Sequence, residues 1–191
     1  MRPAQRNEAA RKERASSTAV SRCFVALWPD PEACNALEAL VRELHQLHAG
    51  SRPMARDNLH LTLAFIGALA ETQARQVVHM LREIQSAPFT WTLDRCAGFE
   101  RAHVLWAGGP EEPRLTALAR ATREGLDSLS IDYDRKPFAA HVTLLRNIAQ
   151  VTAEHPVRPV AWQVTRPQLV VSERDAGGRL RYRTWVEDNL R

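Results

Sequence analysis

The chain has 191 residues, 45% of them hydrophobic and 25% charged, a length that suits one domain or two small lobes sharing a core. Charged residues interrupt every apolar run, so no stretch approaches the roughly 20 apolar residues of a membrane-spanning helix. The net charge of +4 is confined to residues 1–22, which contain six basic and two acidic residues, and the rest of the chain is formally neutral.

The first 21 residues differ from the rest of the chain in composition. Residues 1–21 have no apolar face and no apolar segment of a secretory signal, so they are predicted to form a basic, disordered tail. Residues 22–191 are predicted to form a single domain with two lobes. Cys23, Cys34 and Cys96 form no CxxC pair, which indicates a reducing compartment, and we therefore predict a cytoplasmic protein without a structural zinc site.

Helices and strands are predicted to alternate irregularly from residue 23 onward. A buried strand at 23–28 is followed by Asp30 and Pro31, which are typical of the N-cap and first turn of a helix that ends near Gly50. The later predictions are a strand at 60–66, a helix at 72–86, strands at 89–99 and 103–107, a helix at 113–129, and strands at 141–145, 160–165, 168–173 and 180–186. Gly177 and Gly178 are predicted to form the last hairpin turn. This mixed order predicts an α+β protein with largely antiparallel sheets.

One pattern occurs twice, in residues 32–63 and again in 113–144: a helix followed by a strand that begins His-apolar-Thr-Leu. The two tetrapeptides are His60-Leu61-Thr62-Leu63 and His141-Val142-Thr143-Leu144. Because alternate residues of a strand share a face, each histidine points the same way as its threonine while the intervening apolar residues enter the core. If the two halves pack about a pseudo-twofold axis, two imidazoles and two hydroxyls face one cleft.

These side chains fit acid–base chemistry on a phosphodiester. One histidine can act as general base and the other as general acid, and the threonine hydroxyls can donate hydrogen bonds to the non-bridging phosphate oxygens. Arg146 can reach the same anion, but strand alternation places it on the face of Thr143 only if the strand twists or ends there. The alternative interpretation is two half-buried histidines that hydrogen-bond to neighbouring backbone.

The chain resembles the two-histidine (2H) phosphoesterases, and within them the RNA 2′,3′-cyclic phosphodiesterases, historically called 2′-5′ RNA ligases. The resemblance extends over residues 22–191. Besides the two His-x-Thr motifs, it is carried by the opening segment 22–27, the Leu105-Trp106 pair, the segment 169–173 and the hairpin that leads to Tyr182. Ala140 stands where the family usually has proline, and the tail lies outside the family pattern.

The resemblance also implies a fold and a set of roles. The fold is a two-lobed, pseudo-symmetric α+β structure with antiparallel sheets lining a central cleft, helices outside, and no metal or other cofactor. His60 is implied to donate a proton to the leaving ribose oxygen, and His141 to activate water. Thr62, Thr143 and Arg146 are implied to hold the phosphate. The expected product is a 2′-phosphate formed from an RNA end or a cyclic nucleotide.

Two alternatives to hydrolysis remain open at the level of sequence. One is reversible 2′-5′ joining of RNA, and the other is a module that binds RNA ends or nucleotides without turnover, against which the intact histidine pair argues. Because the chain after residue 22 is formally neutral, recognition of one terminal phosphate is favoured over a basic groove that binds long RNA. We expect a monomer with no membrane or protein partner.

Further aromatic and basic residues are candidates for contacts with RNA. Single aromatic residues can stack on a base, although each is more simply explained as core. These residues are Phe24, Phe65, Trp106 and Phe138. Three arginines alternate along the last predicted strand, where they form a solvated face or guide an RNA end. They are Arg179, Arg181 and Arg183.

Overall fold

The computed structural model describes residues 19–150 and 153–186, with side chains described from residue 22 onward. Residues 1–18 of the predicted tail therefore lie outside the described residues, and the prediction of disorder there stays a prediction. The first strand begins at Ala19, four residues before the predicted start, so residues 19–21 of the predicted tail belong to a strand.

The described residues form nine strands and three α-helices. The strands are β1 (Ala19–Leu27), β2 (Arg52–Pro53), β3 (Leu61–Ala70), β4 (Phe89–Phe99), β5 (Val104–Gly108), β6 (Val142–Arg146), β7 (His155–Val164), β8 (Gln168–Arg174) and β9 (Leu180–Thr184). The helices are α1 (Pro31–Leu47), α2 (Glu71–Glu83) and α3 (Pro113–Ser128). Every predicted helix and strand is present. The two-residue strand β2 and two short 3-10 turns, Arg56–Asn58 and Glu100–Ala102, were not predicted, because they are too short to show a periodic pattern.

The strands form one antiparallel sheet in the order β7-β4-β5-β6-β3-β1-β8-β9, with β2 paired to β6. Four strands lie on each side of the β6–β3 boundary, and there the strands pair at one position, Leu61 with Val142. Each side places a motif strand at the boundary, β6 or β3, and next to it the strand that precedes the helix before that motif strand, β5 or β1. This arrangement confirms the predicted α+β class, the two lobes and their pseudo-symmetry.

The helices cover one face of the sheet, and two of the three cross between the lobes. Helix α1 follows β1 but packs on β6 and β7, whereas α3 follows β5 but packs on β3. The predicted N-cap of α1 is confirmed: Asp30 Oδ1 accepts hydrogen bonds from the backbone N–H groups of Glu32 and Ala33 at 2.9 and 3.0 Å. Its other oxygen, Oδ2, accepts from the Gln163 N–H at 2.7 Å, which ties the start of α1 to β7 in the other lobe.

The two faces of the sheet bury different side chains. In β1, Cys23, Val25 and Leu27 join the large apolar core beneath the helices. Phe24 and Ala26 point to the opposite face, where they form a small cluster with Val170, Trp28 and Tyr182. The open face of the sheet is therefore lined with aromatic rings where the two lobes meet. None of the helices in the described ranges is long and apolar enough to cross a membrane.

Candidate active site

The His-x-Thr motifs lie where β3 meets β6. Leu61 pairs with Val142, and both side chains are fully buried in the core. Continuing this antiparallel register by one residue in each direction places His60 opposite Thr143 and His141 opposite Thr62. Directly opposed residues have Cβ atoms about 4.5–5.5 Å apart, and diagonal neighbours are about 7–8 Å apart. The structure thus brings together on one face the four residues that the motifs single out.

Both imidazole rings are held by the same local hydrogen bond. His60 Nδ1 donates to the Asn58 carbonyl at 2.7 Å, and His141 Nδ1 donates to the Ala139 carbonyl at 2.8 Å. A carbonyl oxygen only accepts, so the hydrogen lies on Nδ1 in each ring. The Nε2 atoms are therefore the ones that can exchange a proton with a substrate. The bond to Ala139 forms although Ala140 stands where the family usually has proline.

Aromatic side chains surround both imidazoles. The rings of Phe24 and Tyr182 lie 4.9 and 5.1 Å from the His60 ring, centroid to centroid. In the other lobe, the Phe99 ring lies edge-on to His141 at 4.9 Å. These contacts shield the buried His60, and in part the half-buried His141, from water, which makes their charged forms less favourable.

The environment of the histidines lowers their pKa values. Burial lowers the pKa of His60 from its ordinary value of 6.5 to about 4, against the opposing effect of the Asn58 hydrogen bond. The positive charges of His141 and Arg146 lower it further. Burial also lowers the pKa of His141, and the charge of Arg146 adds to that effect. In the free protein both imidazoles are therefore neutral at neutral pH, and their protonation states are coupled.

A β-bulge in β6 determines where Arg146 points. Trp106 of β5 pairs with Thr143, but the preceding Leu105 pairs with Leu145, so β6 contains one extra residue between them. Both Leu144 and Leu145 are buried in the core. The strand alternation therefore shifts by one position, and Arg146 returns to the face of Thr143. Its effect on both histidine pKa values agrees with that position.

The same bulge occurs at the equivalent position of β3. Ala26 of β1 pairs with Thr62, whereas Val25 pairs with Ala64, and both Leu63 and Ala64 are buried. Phe65 consequently occupies the position that Arg146 has in the other lobe.

The four aromatic candidates for base stacking differ in exposure. Phe65 is 55% exposed and its ring lies 6.0 Å from that of Phe24, so its interpretation as a core residue is wrong. Phe24 is buried, which agrees with a core position. Trp106 and Phe138 are half-buried. Of the four, Phe65 thus presents the most ring surface on the face that carries the histidines.

Asn58 is a positioning residue that sequence reasoning missed. Its side chain is buried, donates from Nδ2 to the Leu180 carbonyl at 2.9 Å, and accepts from the Tyr182 N–H at 3.0 Å. These two bonds fasten the loop before His60 to β9, while the Asn58 carbonyl orients the His60 ring. The available signal was an amide side chain two residues before a motif histidine.

The described residues contain no group of three or more histidine, cysteine, aspartate or glutamate side chains placed to hold a metal ion. The groups gathered at the β3–β6 junction are instead two neutral imidazoles, two hydroxyls and one guanidinium. This combination offers an acid, a base and hydrogen-bond donors for an anion, in a site that is partly shielded from solvent.

Comparison with known proteins identifies the family. Residues 27–106 match the family model described as LigT like Phosphoesterase. The RNA 2′,3′-cyclic phosphodiesterase of Escherichia coli (strain K12) is 35% identical over 143 residues, which are 74% of this chain and 81% of that protein. The chain belongs to the LigT-like phosphoesterases. A second relative in this family, the RNA 2′,3′-cyclic phosphodiesterase of Archaeoglobus fulgidus, is 31% identical over 128 residues, 65% of this chain and 72% of that protein.

Solved structures of LigT-like phosphoesterases extend the likeness to both lobes. Escherichia coli LigT in complex with 3′-AMP superposes with a TM-score of 0.75 at 30% identity, over 87% of this chain and 95% of that one. A further crystal structure described as a phosphoesterase gives a TM-score of 0.76 at 29% identity over the same shares of the two chains. The structural match therefore covers far more of the chain than residues 27–106, the part that the family model matches.

Proposed function

We propose that the protein hydrolyses 2′,3′-cyclic phosphodiesters, at RNA ends or in nucleotides, to give 2′-phosphates. The observation that supports this proposal is the pairing of Leu61 with Val142, because continuing that register by one residue each way brings two imidazoles and two hydroxyls to one face. The relatives in Escherichia coli and Archaeoglobus fulgidus are named RNA 2′,3′-cyclic phosphodiesterases. Escherichia coli LigT holds 3′-AMP, a nucleoside monophosphate of the size that this reaction involves.

The proposed reaction uses one histidine on each side of the phosphorus. His141 Nε2 removes a proton from water, and the water oxygen bonds to phosphorus. The bond between phosphorus and the 3′ oxygen breaks, and His60 Nε2 gives its proton to that oxygen, which leaves a 3′ hydroxyl and a 2′-phosphate. The geometry is nearly symmetric in the two rings, so the division of these two roles rests on the resemblance to the family.

The hydroxyls and Arg146 are proposed to hold the phosphate. Thr62 and Thr143 donate hydrogen bonds to its non-bridging oxygens, and the Arg146 guanidinium offsets the charge that develops there. A bound phosphodiester anion also stabilises an imidazolium, so substrate binding raises the histidine pKa values that burial lowers in the free protein. The reactive form, with one neutral and one protonated ring, is thereby favoured in the complex.

A turnover assay with 2′,3′-cyclic AMP tests the function directly. The expected product is 2′-AMP rather than 3′-AMP, because the bond to the 3′ oxygen is the one that breaks. EDTA is expected to leave the rate unchanged, since side chains supply the acid, the base and the positive charge. Binding without turnover would contradict hydrolysis and favour the binding module, and efficient joining of RNA halves would favour the 2′-5′ ligase alternative.

The pH dependence of kcat/KM follows from the lowered pKa values. Below about pH 4 both imidazoles are protonated and no base remains, while above the pKa of His141, which burial holds below 6.5, both are neutral and no acid remains. Between these limits one ring is protonated and the other is neutral. The proposed roles use the less populated of the two singly protonated forms, the one with the proton on His60, and its fraction is also largest between these limits. We expect a bell-shaped profile with its maximum between about pH 4 and 6.5. Because the bound anion favours an imidazolium, the maximum of the kcat profile is expected at a higher pH than the maximum of the kcat/KM profile.

Initial rates measured from about pH 4 to pH 9, at low and at saturating substrate, separate the two profiles. A maximum of kcat/KM above pH 7 would contradict the burial effect on the free protein.

We also propose that the enzyme acts as a cytoplasmic monomer built from one domain, which the sequence predicts at residues 22–191 and whose first strand begins at Ala19. The continuous sheet through both lobes supports a single domain. All proposed site residues come from one chain, which supports a monomer. The three cysteines are free thiols, which agrees with a reducing compartment.

A further inference from the structure

A cavity of about 290 Å³ is lined by Arg146 and Asn58, two residues of the candidate active site. Four arginines line it, together with Asn58, and no carboxylate is among the described residues that form its wall. The arginines are Arg52, Arg146, Arg179 and Arg181. We call this cavity the arginine pocket. Because it shares Arg146 and Asn58 with the candidate active site, the two are adjacent.

The arginines reach the pocket from three different segments. Arg52 in β2 pairs with Arg146 in β6, which places two like charges directly opposite each other. Arg179 lies in the turn before β9, and Arg181 lies in β9 itself. The side chain of Asn58 fastens β9 to the loop before His60. Directly opposed like charges destabilise a strand pair. An anion between them removes that cost.

Carboxylates neutralise only part of this charge. Arg181 lies 3.2 Å from Asp175 and 3.8 Å from Asp57. Within the described ranges, Arg52, Arg146 and Arg179 have no carboxylate partner at ion-pair distance. Arg183, the third arginine of the last strand, bonds to Glu173 instead and does not line the pocket. The local positive charge is therefore concentrated in the pocket, although the chain beyond residue 22 is neutral as a whole.

We propose that the arginine pocket binds the phosphodiester on the 5′ side of the terminal nucleoside, so that the preferred substrates are oligoribonucleotides with a 2′,3′-cyclic end. This inference rests on the proposed function. A cyclic phosphate occupies both the 2′ and the 3′ oxygen of the last ribose, and an RNA strand can continue only through the 5′ oxygen. The next phosphate therefore lies one nucleoside from the reacting one. Guanidinium groups suit it, because their planar fork binds two phosphate oxygens at once.

The test compares a cyclic mononucleotide with a dinucleotide that carries the same cyclic end. The wild-type protein is expected to show a kcat/KM about tenfold or more higher for the dinucleotide, the effect of one or two charge-assisted hydrogen bonds. The double variant Arg52→Ala/Arg179→Ala is expected to lose that preference and to keep its activity on the mononucleotide. The control is Arg82→Ala/Arg166→Ala, which removes two arginines from a different cavity, beside α2 and β8.

Several outcomes would overturn the inference: no dinucleotide preference in the wild type, equal loss in both double variants, or a parallel loss on the mononucleotide. Equilibrium binding of the two 2′-phosphorylated products gives a readout that does not depend on turnover. The dinucleotide is expected to bind more tightly, with a salt slope steeper by about 0.7 per phosphate contacted, and the pocket variant to remove both differences. A protein that binds the dinucleotide selectively but hydrolyses neither substrate would refute the proposed function and leave the pocket assignment standing.

Discussion

Replacing either His60 or His141 by alanine is expected to lower kcat by about 10²–10⁴-fold, the range for loss of a general acid or base. Each Nε2 is the ring nitrogen left available by the Nδ1 hydrogen bond to backbone, and among the described residues no other imidazole lies at the β3–β6 junction to replace it. Because the two act in one proton transfer sequence, the double variant is expected to be little slower than either single variant.

The matched control is His79→Ala, which removes an exposed histidine from α2 on the helix-covered side. It is expected to retain full activity. Since His60 is buried, His60→Gln keeps more of the ring volume and distinguishes lost chemistry from lost packing. Thermal unfolding followed by circular dichroism shows whether each variant folds. Near-normal hydrolysis of 2′,3′-cyclic AMP by either folded alanine variant would refute the proposed roles.

Those parts of the fold that depend on local patterns are predictable from the sequence. Asp30 followed by Pro31 specifies the start of α1, since Asp30 caps the first N–H groups and Pro31 has no N–H that would need an acceptor. The two His-x-Thr motifs predict a shared face because strand alternation has a fixed period of two. Their juxtaposition at one sheet boundary follows from the internal repeat.

The bulges are what the sequence does not reveal. Leu63-Ala64 and Leu144-Leu145 are ordinary apolar pairs, and a strand with a bulge has the same composition as one without. Only the pairing with Ala26 in β1 and with Trp106 in β5 shows that one residue is extra. Strand alternation therefore leaves the direction of Arg146 open, and the exposure of Phe65 is missed for the same reason.

The pseudo-symmetric halves differ at the residue that follows each bulge. One half presents the Arg146 guanidinium to the histidine face, and the other presents the exposed ring of Phe65. A cyclic nucleotide is itself asymmetric, with an anionic ring phosphate at one end and an apolar base face at the other. The repeated motifs supply matched acid and base groups, while the residues after the bulges distinguish the two lobes at the histidine face.

Replacing Arg146 by alanine is expected to lower kcat/KM for a cyclic nucleotide by about 10²–10³-fold, the typical cost of one oriented donor at a developing charge. Arg146→Lys is expected to recover part of this loss, because it restores the charge but not the planar fork. The control, Arg101→Ala, removes an exposed arginine from the turn between β4 and β5. The Arg101→Ala variant is expected to leave kcat/KM unchanged.

The pH profile separates an electrostatic role of Arg146 from a structural one. Burial is the main cause of the low histidine pKa values, but the charge of Arg146 lowers both further. Removing that charge makes each imidazolium more favourable, so both limbs of the kcat/KM profile are expected to move to higher pH in Arg146→Ala and to stay near their wild-type positions in Arg146→Lys. A loss of activity with both limbs unmoved would contradict the placement of Arg146 on the histidine face and would mean that the bulge in β6 does not direct its side chain to the phosphate.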